Sequence, residues 1–196
     1  VNQQCRISVA KHPRQIEGVV LVLVGVLPIQ FIDHPGDRVV GVGKVDDLFA
    51  RRNLTSIHTP TNAEAYSLIE GGLDSMRRGL LFANVIEFDQ SWGHRNDVAG
   101  FAGGLRELDA RLPRLLGPVQ EDDLIIFTAD HGNDPTTPST DHSRERVPVL
   151  VVGPKVRPVS IGERTTFADL GQTIAEFLGV APLAAGTSFL GEVWSS

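Results

Sequence analysis

Apolar residues along this chain form short continuous runs that alternate with longer segments of helical periodicity. Buried strands are predicted where such runs occur, at 19–32, 39–42, 80–88, 123–128 and 147–153. Apolar residues spaced three or four apart predict helices at 45–52, 61–79, 95–116 and 166–179. Asn62 is the expected cap of the second helix, and Pro113 is expected to interrupt the third near its end. Strands that alternate with helices predict an α/β fold, with a parallel or mixed sheet covered on both sides.

The composition favours small-molecule chemistry in the cytoplasm. The 196 residues carry a formal net charge of -6, and nucleic acids are bound by basic surfaces, so no nucleic-acid partner is expected. The single cysteine, Cys5, cannot form an intramolecular disulfide and gives no sign of an oxidising compartment. The apolar run 19–32 is shorter than the roughly 20 residues that cross a bilayer. Because Gly25 and Pro28 also break that run, no membrane association is expected.

Two of the predicted strands end in clusters of acidic residues and histidines. "FDQSWGH" contributes Asp89 and His94, and "TADHGNDPTTPSTDH" contributes Asp130, His131 and His142. If the two strands are neighbours, these five side chains converge at one edge of the sheet, where α/β proteins bind ligands. Carboxylates and imidazoles are the ligands of zinc, manganese and iron sites, and paired metals suit phosphate-ester chemistry. The sequence therefore predicts a metal site formed by these five residues.

Other acidic residues near the clusters have competing interpretations. Asp130 taken alone is more often a turn former or helix cap, but the adjacent His131 favours metal binding. Asp134 precedes a proline, a pair that is typical of turns. Glu87 shares a strand face with Asp89, so it is either an outer partner of the metal site or a residue with a surface or capping role.

Three arginines are candidates for binding the phosphate of a substrate. Arg95 either clamps a phosphate or forms a salt bridge with a neighbouring carboxylate. Arg144 and Arg146 alternate in an extended segment, which would point both side chains the same way. A bound phosphate would also serve the charge balance, because two divalent cations bring about four positive charges and Asp89 and Asp130 offset only two of them.

Several segments resemble the phosphopentomutases, a family of the alkaline phosphatase superfamily. They are "FANVIEFDQSWGHRNDVAGFAGGLRELDARLP", "DDLIIFTADHGNDPTTPSTDHSRERVPVLVVGP" and the tail beginning "ERTTFADLGQTIAEFLGV". The match runs from about Arg38 to Phe189, and the pattern "TADHGNDPT" followed by "TDH" is specific to the family. The resemblance implies a three-layer α/β/α alkaline-phosphatase-like core over 38–196, incomplete because the amino-terminal half and cap domain of the family are missing.

The resemblance also implies a reaction and its cofactors. Phosphopentomutases are isomerases that move phosphate between the 1- and 5-positions of ribose or deoxyribose through a phosphothreonine and two manganese ions (Mn2+). Carried over by position, Asp130 and His131 would hold one ion, while Asp89, His94 and His142 would hold the other.

The chain departs from the family in its first part. The family's Asp-Ser-x-Gly turn, with its Asp ligand, and its nucleophilic Thr have no match here, and residues 1–37 do not resemble the family. We therefore expect a truncated or frame-shifted product that lacks a catalytic nucleophile and has little activity alone. We also expect an open edge of its sheet, which the missing half of the family's core could complete. A non-catalytic metal-binding fragment, or a related phosphoglycerate mutase or phosphodiesterase, are the alternatives.

Overall fold

The computed structural model describes residues 5–6, 38–45, 55–76, 79–144 and 146–195. Its strands are β1 (Cys5–Arg6), β2 (Arg38–Val42), β3 (Thr55–Ile57), β4 (Gly79–Ala83), β5 (Ile125–Phe127), β6 (Leu150–Val152) and β7 (Glu163–Arg164). Its α-helices are α1 (Asn62–Ser75), α2 (Val98–Leu116), α3 (Ala168–Phe177) and α4 (Leu190–Val193). Between β4 and α2 the chain forms a π-helical turn (Phe88–Trp92) and a 3-10 turn (Gly93–Arg95).

The described strands form three separate sheets. A parallel sheet has the order β3-β2-β4, with Val40 opposite both Thr55 and Leu81. β5 pairs with β6 in antiparallel fashion, with Ile126 opposite Val151, and β1 pairs with β7. Parallel and antiparallel pairs thus occur together, as the mixed-sheet prediction allowed.

The two larger sheets lie in one layer between two apolar cores. Leu80 of β4 and Ile126 of β5 pack into the core that contains Ile174 of α3. The next residue of β4, Leu81, and that of β5, Phe127, pack instead into the core formed with α1 and α2. Because successive side chains of a strand point to opposite faces, β4 and β5 are sandwiched between the same two helical layers. The predicted three-layer α/β/α architecture is confirmed.

The strand predicted over 80–88 is wrong beyond Ala83. The backbone N–H of Glu87 donates to the Asn62 side chain (3.1 Å), and the Glu87 carboxylate accepts from the backbone N–H of Asn62 (2.6 Å). The next residue, Phe88, is buried with edge-on ring contacts to Trp92 and Phe101, both with centroids 5.1 Å apart. These contacts hold 88–92 in a helical turn, so Asp89 lies on a turn rather than at a strand end.

The predicted helix boundaries need four corrections. The helix predicted to reach 79 ends at Ser75, and Gly79 already belongs to β4. The cap of α1 is Thr61, whose Oγ accepts from the N–H of Glu64 (3.3 Å), because the Asn62 side chain is engaged with Glu87. α2 begins at Val98 rather than 95, since Asp97 caps it by accepting from Gly100 (2.8 Å). The helix also continues through Pro113 to Leu116, although a proline inside a helix removes one backbone hydrogen bond and crowds the carbonyl four residues earlier.

Three predictions fall on parts of the chain that the structure does not describe. The strand at 19–32 and the unassigned segment 1–37 lie almost entirely outside the described residues, as does most of the helix at 45–52. They stay predictions. Within the described ranges, none of the helices is long and apolar enough to cross a membrane.

Candidate metal centre

The predicted ligands come from two segments that follow β4 and β5. Asp89 lies on the π-helical turn and His94 on the 3-10 turn that follows it. Asp130 and His131 come directly after β5, and His142 lies at the far end of the same loop. Although β4 and β5 are not hydrogen-bonded to each other, these segments meet beyond the carboxyl ends of the two strands.

The loop after β5 is closed so that its histidines lie side by side. The N–H of Ser143 donates to the carbonyl of Gly132 (3.0 Å), forming an isolated antiparallel bridge. His131 precedes one bridge residue and His142 the other, and their rings stack with centroids 3.8 Å apart and planes 24° apart. The His94 ring lies 5.0 Å from that of His142. Tertiary packing thus gathers three imidazoles.

One carboxylate oxygen lies at the centre of the histidines. Asp89 Oδ1 is 3.3 Å from His94 Nε2, 3.4 Å from His142 Nε2 and 3.9 Å from His131 Nε2. Ligand atoms of Asp89, His131 and His142 all lie within 4.8 Å of one another, close enough to share one ion.

Asp130 lies at the edge of this group and contacts it through His131. Its Oδ1 is 3.6 Å from His131 Nε2, the atom that also faces Asp89. His131 therefore stands between the two carboxylates. The resemblance to the family assigns His131 to the same ion as Asp130. In the structure His131 also lies in a compact group with Asp89 and His142, which the family assigns to the other ion.

Hydrogen bonds fix the orientation of two of the rings. His94 Nδ1 contacts the carbonyl of Thr140, and His131 Nδ1 lies 3.2 Å from the carbonyl of Gly132. Because a carbonyl oxygen only accepts, Nδ1 carries the hydrogen in both rings. The Nε2 atoms that face Asp89 then hold lone pairs unless a second proton is bound. Lone pairs and a carboxylate that converge in this way are stabilised by a cation between them, and the backbone partners are those typical of metal-bound histidines.

Two residues that sequence reasoning missed hold the turns together. Asn133 directs its side-chain amide toward Asp89 Oδ1 at 3.5 Å, the limit of a hydrogen bond. A Cβ on Gly93 would lie 2.2 Å from Asn133 Nδ2, so only glycine permits this approach. Glycine next to His94 hints at a close contact, but nothing in the sequence reveals that the contacting residue is Asn133.

The acidic residues with competing interpretations are now placed. Glu87 points to Asn62 at the start of α1, which supports the capping interpretation rather than a role beside the metal ligands. Asp134 forms a turn, since its Oδ1 accepts from the N–H (2.9 Å) and hydroxyl (2.6 Å) of Thr136. The Thr136 hydroxyl, followed by its N–H, lowers the pKa of Asp134.

The three arginines differ in their surroundings. Arg95 is exposed and donates to the carbonyl of His94 (3.3 Å). Arg144 is exposed as well, on the loop that carries His142. Arg146 forms a salt bridge with Glu163 of β7 (3.0 Å). All three arginines are thus exposed, and Arg146 differs from the other two in its salt bridge with Glu163.

Comparison with protein families gives this geometry a context. The model of the metalloenzyme superfamily matches residues 43–182, a range that includes all five predicted ligands. The chain belongs to the metalloenzyme superfamily. Members of this alkaline-phosphatase-like superfamily have an α/β fold, in agreement with the three-layer architecture described above.

Individual relatives carry a more specific name. A phosphopentomutase of Anaeromyxobacter sp. (strain K) is 54% identical over 159 residues, which cover 81% of this chain and 41% of that protein. A phosphopentomutase of Yersinia pseudotuberculosis serotype O:1b is 46% identical over 165 residues, covering 82% of this chain and 40% of the relative. The resemblance seen in the sequence is confirmed, and the chain spans about two fifths of the length of these relatives.

Proposed function

We propose that this chain carries the metal-binding part of a phosphopentomutase-type active site. The activity is the interconversion of ribose or deoxyribose 1-phosphate and the corresponding 5-phosphate, an isomerase reaction of nucleotide metabolism in the cytoplasm. The observation that carries the proposal is the meeting of three imidazoles around Asp89 Oδ1 in a chain whose relatives are named phosphopentomutases. The same relatives favour this activity over those of a phosphoglycerate mutase or phosphodiesterase.

The residues at the site fit divalent cations. Asp89, His94, Asp130, His131 and His142 supply the mixed carboxylate and imidazole ligands that manganese accepts. We propose two Mn2+ ions. His131 Nε2 lies 3.6 Å from Asp130 Oδ1 and 3.9 Å from Asp89 Oδ1, so His131 is close enough to ligate an ion held by either carboxylate. When bound, such ions neutralise charge on a transferring phosphoryl group and lower the pKa of the attacking oxygen.

The protein residues around the ligands position the rings and attract phosphate. The carbonyls of Thr140 and Gly132 hold the Nδ1 hydrogens of His94 and His131, which leaves each Nε2 free as a ligand. Arg95 and Arg144 are exposed on the two ligand-bearing segments, and their guanidinium groups suit a sugar phosphate. Arg146 contributes less in this proposal, because a ligand would have to compete with its exposed salt bridge to Glu163.

We propose that the chain alone does not turn over sugar phosphates. No stretch of the sequence matches the nucleophilic Thr or the Asp-Ser-x-Gly turn of the resembled family, so the phosphoryl group has no covalent acceptor. On this view residues 38–196 are part of a core that needs another polypeptide segment. A non-catalytic metal-binding fragment is the second candidate, favoured by the 41% share of the Anaeromyxobacter relative that the chain covers.

Metal binding is tested by calorimetry of the 196-residue chain with manganese. We expect saturable binding that falls at least about 100-fold in an Asp89→Asn, His142→Ala double variant, because two ligands are lost. Asp141→Asn is the matched control, since it removes a charge beside His142 without removing a ligand. Equal affinity of the wild type and the double variant would contradict the proposal.

The reaction is tested with a chimera. The matched 159-residue region of the Anaeromyxobacter protein is replaced by the equivalent region of this chain, and conversion of ribose 1-phosphate to ribose 5-phosphate is measured with manganese. We expect conversion by the chimera, none by its Asp89→Asn form and none by the 196-residue chain. A chimera that folds and binds manganese but converts no ribose 1-phosphate would contradict the proposed mutase activity. The proposal of a non-catalytic metal-binding fragment would then be favoured.

A further inference from the structure

The indole of Trp92 lies along one turn of α2, in close contact with two glycines. A Cβ on Gly100 would lie 2.4 Å from Trp92 Cδ1, and a Cβ on Gly104 would lie 2.2 Å from Trp92 Cζ3. Cδ1 belongs to the five-membered ring and Cζ3 to the six-membered ring, so both ends of the indole lie against the helix. Residues four apart share a face of a helix, and at both of these positions only glycine leaves room for the ring.

The remaining glycine of α2 shows that this contact is specific. A Cβ on Gly103 would have its nearest contact at 4.0 Å, with the side chain of Arg106. Glycine is less favourable than alanine inside a helix, so Gly100 and Gly104 weaken α2 when it is considered alone. The close approach of Trp92 explains glycine at these two positions, whereas the space beside Gly103 admits alanine.

Trp92 is the middle one of three anchors that attach the first ligand segment to α2. At one end Phe88 is buried against the ring of α2 residue 101. At the other end Asp97 caps α2, and its backbone N–H donates to the carbonyl of Trp92 (2.9 Å). Asp89 lies between the first and second anchors, and His94 lies between the second and third. Both predicted ligands of this segment are therefore held against a helix that supplies no ligand itself.

The backbone around Trp92 couples the indole to the two ligands. The N–H of Gly93, the residue after Trp92, donates to the carbonyl of Asp89. Asp89 Oδ1 and His94 Nε2 face each other across this turn at 3.3 Å. A displacement of the indole would move the backbone that joins Asp89 to His94, and it would change the distance between these two side chains.

We propose that Trp92 is a positioning residue of the metal centre, whose contact with Gly100 and Gly104 holds Asp89 and His94 in place before a metal binds. This inference rests on the proposed function, because it takes Asp89 and His94 to be metal ligands. Ligands that are already ordered bind more tightly, since their ordering does not have to occur during binding. The role of α2 is then to orient two ligands that it does not carry.

The first test fills the space under the indole. Gly104→Ala displaces the six-membered ring, and we expect manganese affinity, measured by calorimetry, to fall about tenfold, as for residues that orient ligands. Gly103→Ala is the matched control, because it adds the same methyl group one residue away and should leave the affinity unchanged. An unchanged affinity of a folded Gly104→Ala variant would overturn the inference.

The second test asks whether this effect passes through Trp92. Trp92→Leu removes the ring atoms that lie against Gly104, and we expect it to weaken manganese binding about tenfold as well. Gly104→Ala should then have no further effect, because both changes remove the same contact. A further loss of affinity in the double variant would overturn the inference. The double variant has no ring to displace, so the comparison also decides if Gly104→Ala alone does not fold.

Amide hydrogen exchange in a metal chelator separates the inference from the proposed function. The N–H groups of Gly93 and Asp97 are hydrogen-bonded within the turn. We expect both to exchange at least about tenfold faster in Gly104→Ala, and in Trp92→Leu, than in the wild type and Gly103→Ala. Unchanged exchange at both amides would overturn the inference. A wild type that binds no manganese would contradict the proposed function, and the exchange rates would still decide whether Trp92 holds the turn.

Discussion

The acid-histidine cluster and an apolar groove are built on the same two strands, β4 and β5, and they differ in the chemistry of the residues that form them. The groove is lined by residues of β4, β5, α1 and α3. Beyond the carboxyl ends, the segments after β4 and β5 meet, with three Nε2 atoms 3.3 to 3.9 Å from Asp89 Oδ1. Alongside the strands themselves, the described residues line a groove of about 580 Å3. Among the described residues, the cluster is thus brought together by loops and not by hydrogen bonds between β4 and β5.

The largest effect is expected from removing the support of the cluster. Phe88→Ala deletes a fully buried ring that packs against Trp92 and Phe101, and it should lower the free energy of unfolding by about 3–5 kcal/mol. Leu81 lines the groove and is only partly buried. Leu81→Ala should therefore lower the free energy of unfolding by less than about 2 kcal/mol. Urea unfolding of both variants measures the two losses of free energy of unfolding. Equal losses would show that the groove is packed as tightly as the ring of Phe88 below the cluster.

The next effect separates metal binding from folding. Asp89→Asn keeps the size of the side chain but removes the charge shared by three histidines, so manganese affinity should fall at least about 100-fold. Calorimetry gives the affinity, and thermal unfolding in a chelator gives the stability, which should change little. A large loss of stability in the chelator would mean that Asp89 holds the turn rather than the ion.

A smaller effect is expected where the two ligand segments touch. Gly93→Ala would place a Cβ 2.2 Å from Asn133 Nδ2, so the Asn133 side chain has to move away from its position beside Asp89. We expect about tenfold weaker manganese binding, the size of effect seen for residues that orient ligands. The control Gly103→Ala has its nearest contact at 4.0 Å on an α2 position and should be neutral or slightly stabilising. Equal manganese affinity of the wild type, Gly93→Ala and Gly103→Ala would contradict a role of Asn133 in positioning the ligands.

The smallest effect concerns the Asp134 turn in the loop between His131 and His142. The bonds from Thr136 lower the pKa of Asp134 in the folded chain, so the ionised carboxylate stabilises the turn above the ordinary pKa of about 3.9. That contribution is lost as the pH falls through the lowered pKa. Thr136→Val should raise the pKa of Asp134 toward its usual value, measured by NMR titration. An unchanged pKa would assign the shift to another group.

The sequence by itself predicted the layered architecture and a set of candidate metal ligands. Apolar runs marked β2, β4, β5 and β6, helical spacing marked α1, α2 and α3, and their alternation required a layered α/β fold. The pairing of Asp and His after two strands singled out Asp89, His94, Asp130, His131 and His142. These signals are local, because the period of a side-chain pattern and the chemistry of a ligand are both properties of adjacent residues.

Only the tertiary structure decided how those residues meet. The strand predicted to reach 88 ends at Ala83, because Asn62, 25 residues away along the chain, binds both the backbone and the carboxylate of Glu87. The fit of Asn133 against Gly93 and the groove that residues of β4 and β5 line likewise depend on contacts between segments distant in sequence. Such contacts leave no periodic pattern in the chain, since each partner's position is fixed by packing elsewhere in the molecule.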